Sequence, residues 1–449
     1  MSFNQTENLW LRAIKVAWPA VLESVFLSLA GIVDTIMVSS IGAFAVAAVG
    51  LTTQPKFFFF TVFLAISVAL SALVARRKGQ KDKRSANETL LTALILVLIL
   101  CAVITIFAVV LAEPILRLAG SNTDTHQTST IYFRIIMGGM IFNIIPITVN
   151  AAQRGSGNTK VAFTTNLVST IVNISFNFLL IEGRFIFPRL GISGAAIATV
   201  LGTVVASVMS LASLFKKDSF VSIPFIVKEK LKVSLQALKN IYNLANSISL
   251  ENIAMRLGFI VTAFMAARLG TTSFAAHNVA MNILSLGFAF ANGMQITAVA
   301  LIGEALGRGA KDLAKSLARV CQRIGFIISI ALSLFLFFAG EYIFKLHFNN
   351  PEIIRQGIML SKFVMIIVIA QISQIIYAAC LRAAGDVKYT LLVSLISVTI
   401  IRSLLTILLV GFLDLGLVGI WLGVLSDQCS RLVCMRLRYK QGNWVHIKI

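Results

Sequence analysis

The chain has 449 residues and a formal net charge of +21, yet it is 58% hydrophobic and only 13% charged, with a mean hydropathy of +0.90. A soluble domain is about 45–50% apolar and about 25% charged, so this composition excludes a soluble globular protein and specifies a polytopic membrane protein. Lys and Arg lie in separate short clusters between apolar runs, not in one stripe, so the net charge speaks to membrane topology and not to nucleic-acid binding.

The first apolar run, 15–42, is long enough to cross a bilayer but carries Glu23 and Asp34. It does not read as a cleaved signal peptide, being too long and leading into further spans. An acid near the bilayer centre costs about 2.5–3.5 kcal/mol. Eleven positions separate the two acids, three helical turns along one face. That face should line a protein interior or a watery cavity. Further windows follow at roughly 44–75, 87–111, 130–152, 161–181, 191–215, 244–268, 275–304, 320–340, 358–381, 389–411 and 416–435. Each is near the roughly 20 residues a spanning helix needs. The fifth carries Asn166, Ser169, Asn173 and Asn177 on one face, and the eighth carries Asn278, Asn282, Ser285, Asn292 and Gln295 within one sector. The tenth holds Gln371 and Gln374, and the twelfth Asp427. Such stripes serve either as interhelical glue or as cavity lining. Two amide carbonyls near a carboxylate, as Asn173 and Asn177 would be with Asp34, suit a hard cation.

Alternate connections differ sharply in charge. One set, which includes both termini, residues 76–84 and the connection 216–239, carries 28 Lys and Arg against 6 in the other. That bias predicts cytoplasmic termini and a cytoplasmic central connection. The chain also repeats itself. Leu22-Glu23 matches Leu250-Glu251, Gly42 matches Gly270, and Arg154–Lys160 matches Arg382–Lys388, all at an offset of 228 residues. Gly191 and Gly194 match Gly416 and Gly419 at 225. Each half holds six spans, an even number, so both halves share one orientation, the parallel-repeat plan of some secondary transporters. The expected fold is therefore all-α and polytopic, with about twelve transmembrane helices in two pseudo-symmetric six-helix bundles. The expected domains are an N-terminal lobe 1–215, a cytoplasmic linker 216–240 and a C-terminal lobe 241–449. The repeat also separates the acids: Glu23 has a twin in Glu251, whereas Asp34 has Thr262 as its mate.

Enzyme signatures fail. Residues 155–160 lack the spacing of a phosphate-binding loop, and no clustered nucleophile, base or metal set is found. His126 and His347 fall in connections, His446 in the tail and His277 at the start of the eighth span, with no metal-ligand spacing. The five cysteines lie in apolar runs without a CxxC pair, which argues against disulfides or zinc. With no nucleotide-binding loop, transport would draw on an ion gradient.

Residues 19–50, 153–160, 173–199, 275–282 and 381–388 together resemble the multidrug and toxic compound extrusion transporters. The resemblance implies an antiporter that exports amphipathic, cationic organic compounds and alternates between inward- and outward-open states. It places Na⁺ or H⁺ on Asp34, assisted by Asn173, Asn177 and Thr199, and a second acidic site at Glu251 with its twin Glu23. Gln54, Asn278, Asn282, Asn292, Gln295, Gln371 and Gln374 are the candidate substrate-cavity residues. It also implies no cofactor beyond the transported ion, a monomer in the plasma (inner) membrane and no nucleic-acid partner. A lipid-linked precursor flippase of the same superfamily and a polytopic membrane enzyme are the rival readings.

Overall fold

The computed structural model describes residues 3–216, 219–348 and 350–447. Lys217 and Lys448, which count in the charge comparison, and the side chain of His347 lie outside the described residues. The described chain is helical: α1 (Phe3–Ser39), α2 (Ala43–Gly79), α3 (Lys83–Val110), α4 (Ala112–Leu118), α5 (Thr123–Gly138), α6 (Met140–Gly155), α7 (Thr159–Leu180) and α8 (Gly191–Ser213). A short α9 (Ile223–Lys228) precedes α10 (Leu235–Arg268), α11 (Thr271–Gly307), α12 (Lys311–His347), α13 (Pro351–Ala384), α14 (Val387–Ser394), α15 (Ser403–Gly411) and α16 (Gly416–Gln441). Between α14 and α15 the chain winds as a π-helix, Leu395–Arg402. Among the described residues, eleven helices are long and apolar enough to span a membrane, counting α14 to α15 as one. The pair α5 and α6, bent by 46°, supplies a twelfth. The expected all-helical, twelve-span architecture is what the chain adopts.

That bend has a local cause. It falls at Gly139, where a Cβ would stand 2.6 Å from Val200 of α8, so a side chain is excluded at the turn. Seven residues on, Pro146 supplies no N–H to the Phe142 carbonyl. Ser207 Oγ donates to that carbonyl instead, at 2.7 Å.

The internal repeat survives in the backbone. Gly42 and Gly270 precede the second helix of each half with φ of 138° and 98°. Gly157 and Gly385 take 83° and 93°, and Gly191 and Gly416 take 55° and 53°. Left-handed backbone is cheap only for glycine, which is why these matches stand out in otherwise diverged sequence.

Val25–Asn246 form one compact unit, and Met1–Ser24 together with Ser247–Ile449 form the other. Helix α1 is thus divided between them, with Glu23 in one and Asp34 in the other. In the first unit α2 packs on α3, α5 and α6, while α8 packs on α6 and α7. The connection after α8 is tied down by Asn87 of α3: its Nδ2 donates to the Phe220 carbonyl at 3.0 Å, and its Oδ1 accepts from Ser222 N at 2.8 Å. In the second unit α13 is central, packed by α11, α12 and α16. The N-terminal part of α1 reaches that unit through Arg12, paired with Glu304 of α11 at 3.0 Å, which Arg308 also contacts.

Candidate functional site

Helix α7 presents Asn173 and Asn177 one turn apart toward α1. Asn177 Nδ2 donates to Asp34 Oδ1 at 2.7 Å. Amide nitrogen and oxygen are told apart by their hydrogen-bond partners. Only one orientation of Asn173 satisfies both ends: Nδ2 donates to Asp34 Oδ1 at 2.7 Å, and the oxygen accepts from the Thr199 hydroxyl and backbone N–H, each at 3.2 Å. Asp34 is half-buried, while Asn173 and Asn177 are buried. Asn177 Oδ1 is a buried acceptor with no donor among the described residues. A buried acceptor without a donor beside a carboxylate is the oxygen-rich arrangement a small hard cation prefers.

Glycine sets the spacing. A Cβ on Gly202 of α8 would lie 2.7 Å from the Ser169 carbonyl and 3.0 Å from Asn173 Cβ. The Ser169 hydroxyl donates to the Gly202 carbonyl at 2.8 Å, which fixes the helix pair at that distance. Small residues let helix backbones approach closely inside a bilayer. Gly202→Val is therefore expected to push α7 from α8 and pull Asn173 off Asp34. Cation-dependent stabilisation of the purified protein, read as the shift in Tm on adding the coupling cation, should shrink several-fold, while Gly31→Ala, whose Cβ meets nothing within 4 Å, leaves it unchanged.

Beside this cluster lies a cavity of about 270 Å³ inside the same unit. Apolar side chains of α2, α5 and α6 make most of its wall, and Lys56, Asn143, Thr199 and Thr203 supply polar groups. Thr199 belongs to both the cavity and the Asp34 cluster. The Lys56 ammonium stands 5.8 Å from the Phe57 ring, and its charge acts on Asp34. Lys56 had a signal in the sequence, a lone Lys inside an apolar window, but its direction on α2 could not be read there. Tyr132 of α5 is also close enough for Asp34 to act on it. It joins Val38, Ala45, Ile136, Ile192 and Ala195 in a buried apolar cluster one turn past Asp34.

The other candidates fall elsewhere. Glu251 is buried in the second unit and already engaged: Arg382 pairs with it at 2.8 Å, Ser394 Oγ donates at 2.6 Å and Thr390 Oγ1 at 3.2 Å. Arg382 also donates to Gln295 at 2.8 Å. Glu23 is buried on the N-terminal part of α1. Asn278, Asn282 and Asn292 form an exposed stripe on α11, whereas Gln371 and Gln374 are buried on α13. Gln54 is exposed on α2. The structure therefore brings Asp34, Asn173, Asn177 and Thr199 together. His277 is buried, with its ring edge-on to Trp421 at 5.7 Å, and His126 lies in the first turn of α5, bonded to Ser121 Oγ at 2.7 Å.

The sequence pattern of the MatE family matches residues 19–179 and 247–408, one stretch in each half. A probable multidrug resistance protein NorM of Thermotoga maritima is 23% identical over 96% of this chain and 92% of its own. A probable multidrug resistance protein YoeA of Bacillus subtilis is 26% identical over 90% of this chain and 88% of its own. Among solved structures, an outward-facing multidrug resistance MATE family transporter superposes with a TM-score of 0.91 at 22% identity, covering 98% of this chain and 97% of that one. A MATE structure in a straight conformation superposes at 0.90, also at 22% identity, over 98% and 97% of the two chains.

Proposed function

The chain belongs to the MatE family and is a multi-pass membrane transporter, not an enzyme; on that premise we propose that it is an antiporter exchanging Na⁺ or H⁺ for amphipathic, cationic organic compounds. The observation that carries this reading is the carboxylate of Asp34, held by two amides inside a membrane span and adjoining an apolar cavity through Thr199. An ionisable side chain is costly at that depth and marks an ion pathway. Relatives named as multidrug resistance proteins support small organic substrates. The cation is cargo, not a resident cofactor. When it occupies Asp34, the charge of the cluster changes and so does the balance between inward- and outward-open states, by as much as the two states differ in cation affinity. The protein acts as a monomer in the plasma membrane with both termini cytoplasmic, an orientation that rests on the bias in Lys and Arg.

Drug efflux from proteoliposomes, with Na⁺ and pH gradients imposed separately, tests the reading. One gradient alone should drive export, and export insensitive to both would overturn it. Lys56 sets the cation affinity in this scheme, because its positive charge acts on Asp34 and so opposes the binding of any second cation there. Lys56→Met should lower the cation concentration for half-maximal effect several-fold; an unchanged value would show that Lys56 plays no part in ion binding.

A further inference from the structure

The second unit holds a buried charge cluster of opposite sign. Asp427 of α16 is fully buried and taken by Arg431, whose Nε lies 2.9 Å from Oδ1 and whose Nη2 donates to Oδ2 at 3.0 Å. Arg402, at the end of the π-helix, is also fully buried, but its Nη1 is 3.8 Å from Asp427 Oδ2. Arg402 Nη2 donates to Thr262 Oγ1 at 3.1 Å, and its guanidinium lies over the Phe259 ring at 4.6 Å. Two arginines thus share one carboxylate, leaving one positive charge uncompensated in the interior of a membrane span. The charge of Arg402 also acts on buried His277, an imidazole that carries no negative charge in either protonation state. A charge so placed is expensive unless paired.

Unpartnered polar atoms on the π-helix, α15 and α16 point the same way. Arg402 Nε and Nη1, Thr406 Oγ1 and Trp421 Nε1 are buried with no hydrogen-bond partner among the described residues. Thr406 lies one turn after Arg402, and α16 reaches both through Gly423, where a Cβ would meet Thr406 Oγ1 and stand 3.1 Å from the Arg402 carbonyl. These groups are donors, or in the case of the hydroxyl can be. The repeat adds an independent argument. Thr262, the acceptor for Arg402, is the mate of Asp34. The position that carries a carboxylate in the first half is therefore bonded to a guanidinium in the second. The α7 segment equivalent to the π-helix is regular α-helix. A π turn widens the helix locally and often marks a functional position.

We propose that Arg402, with Thr406 and Trp421, forms a binding site for a small monovalent anion of the chloride class. Arg402, Thr406 and Trp421 are all fully buried, so the site suits an ion and not an organic acid. One bound monovalent anion brings the Arg402–Asp427–Arg431 cluster to neutrality.

The test uses the purified full-length protein with chloride replaced stepwise by gluconate at constant cation. Tm should rise saturably with chloride, and crystals grown in bromide should show anomalous density within hydrogen-bond distance of Arg402. Arg402→Gln should weaken the chloride effect about tenfold or more, the loss expected for one charge-assisted hydrogen bond. Asp427→Asn removes the competing negative charge and should tighten it to a similar degree, which keeps the proposal testable if the first variant folds poorly. A Tm identical in chloride and gluconate, or a chloride response unchanged in either variant, would overturn the site.

Discussion

Asp34→Asn is expected to abolish gradient-driven export, bringing it to the level of protein-free vesicles while the protein still folds and inserts. The neutral amide keeps the size of the carboxylate and can keep hydrogen bonds to Asn173 and Asn177. It loses the charge that attracts a cation and cannot carry a proton. Substrate binding should survive, measured by equilibrium dialysis of the purified protein, because the cavity wall does not include Asp34. Loss of both binding and transport would point to a structural role. Retention of full transport at normal expression would remove Asp34 from the coupling scheme.

The second large effect concerns stability. Arg382→Met should destabilise the second unit by about 3–5 kcal/mol, the usual cost of leaving one member of a buried ion pair alone. Arg382 is the cation on buried Glu251, and Ser394 and Thr390 cannot replace its charge. Glu251→Gln should cost less, since the amide keeps hydrogen-bonding capacity. It should leave drug affinity and the ion dependence of transport near wild type. Thermal unfolding in detergent reads the first effect, and transport in vesicles reads the second. An Arg382→Met protein as stable as wild type would show that Glu251 has other support. A Glu251→Gln protein that has lost its ion dependence would make this acid a second coupling site.

The parts of this architecture that follow a period were legible in the sequence. Apolar windows gave the spans, a helical stripe put Asn173 and Asn177 on one face, and the unduplicated acid singled out Asp34. Glycines with left-handed backbone, such as Gly157 and Gly385, preserved the repeat because no other residue takes that conformation cheaply. What escaped notice depends on facing between helices distant in the chain. Glu23 and Asp34 share a helical face yet belong to different compact units, since α1 is divided at Ser24. Arg402 and Asp427 are both charged residues inside apolar windows. Their pairing was hidden because the π-helix adds residues per turn and so rotates everything after Leu395 away from the face an α-helical period assigns. Lys56 was hidden for a simpler reason: a lone cation inside an apolar window shows its position on the helix but not what it faces.

The central claim is that a cation at Asp34 and an organic cation in the transporter exchange against each other. The most direct measurement is the release of a pre-bound fluorescent cationic drug from purified protein as Na⁺, or H⁺ at constant ionic strength, is titrated in. The account predicts saturable release by one of these ions in the wild type and none in Asp34→Asn, with drug affinity in the absence of the ion equal in both. Release that is the same in Asp34→Asn as in the wild type would contradict it.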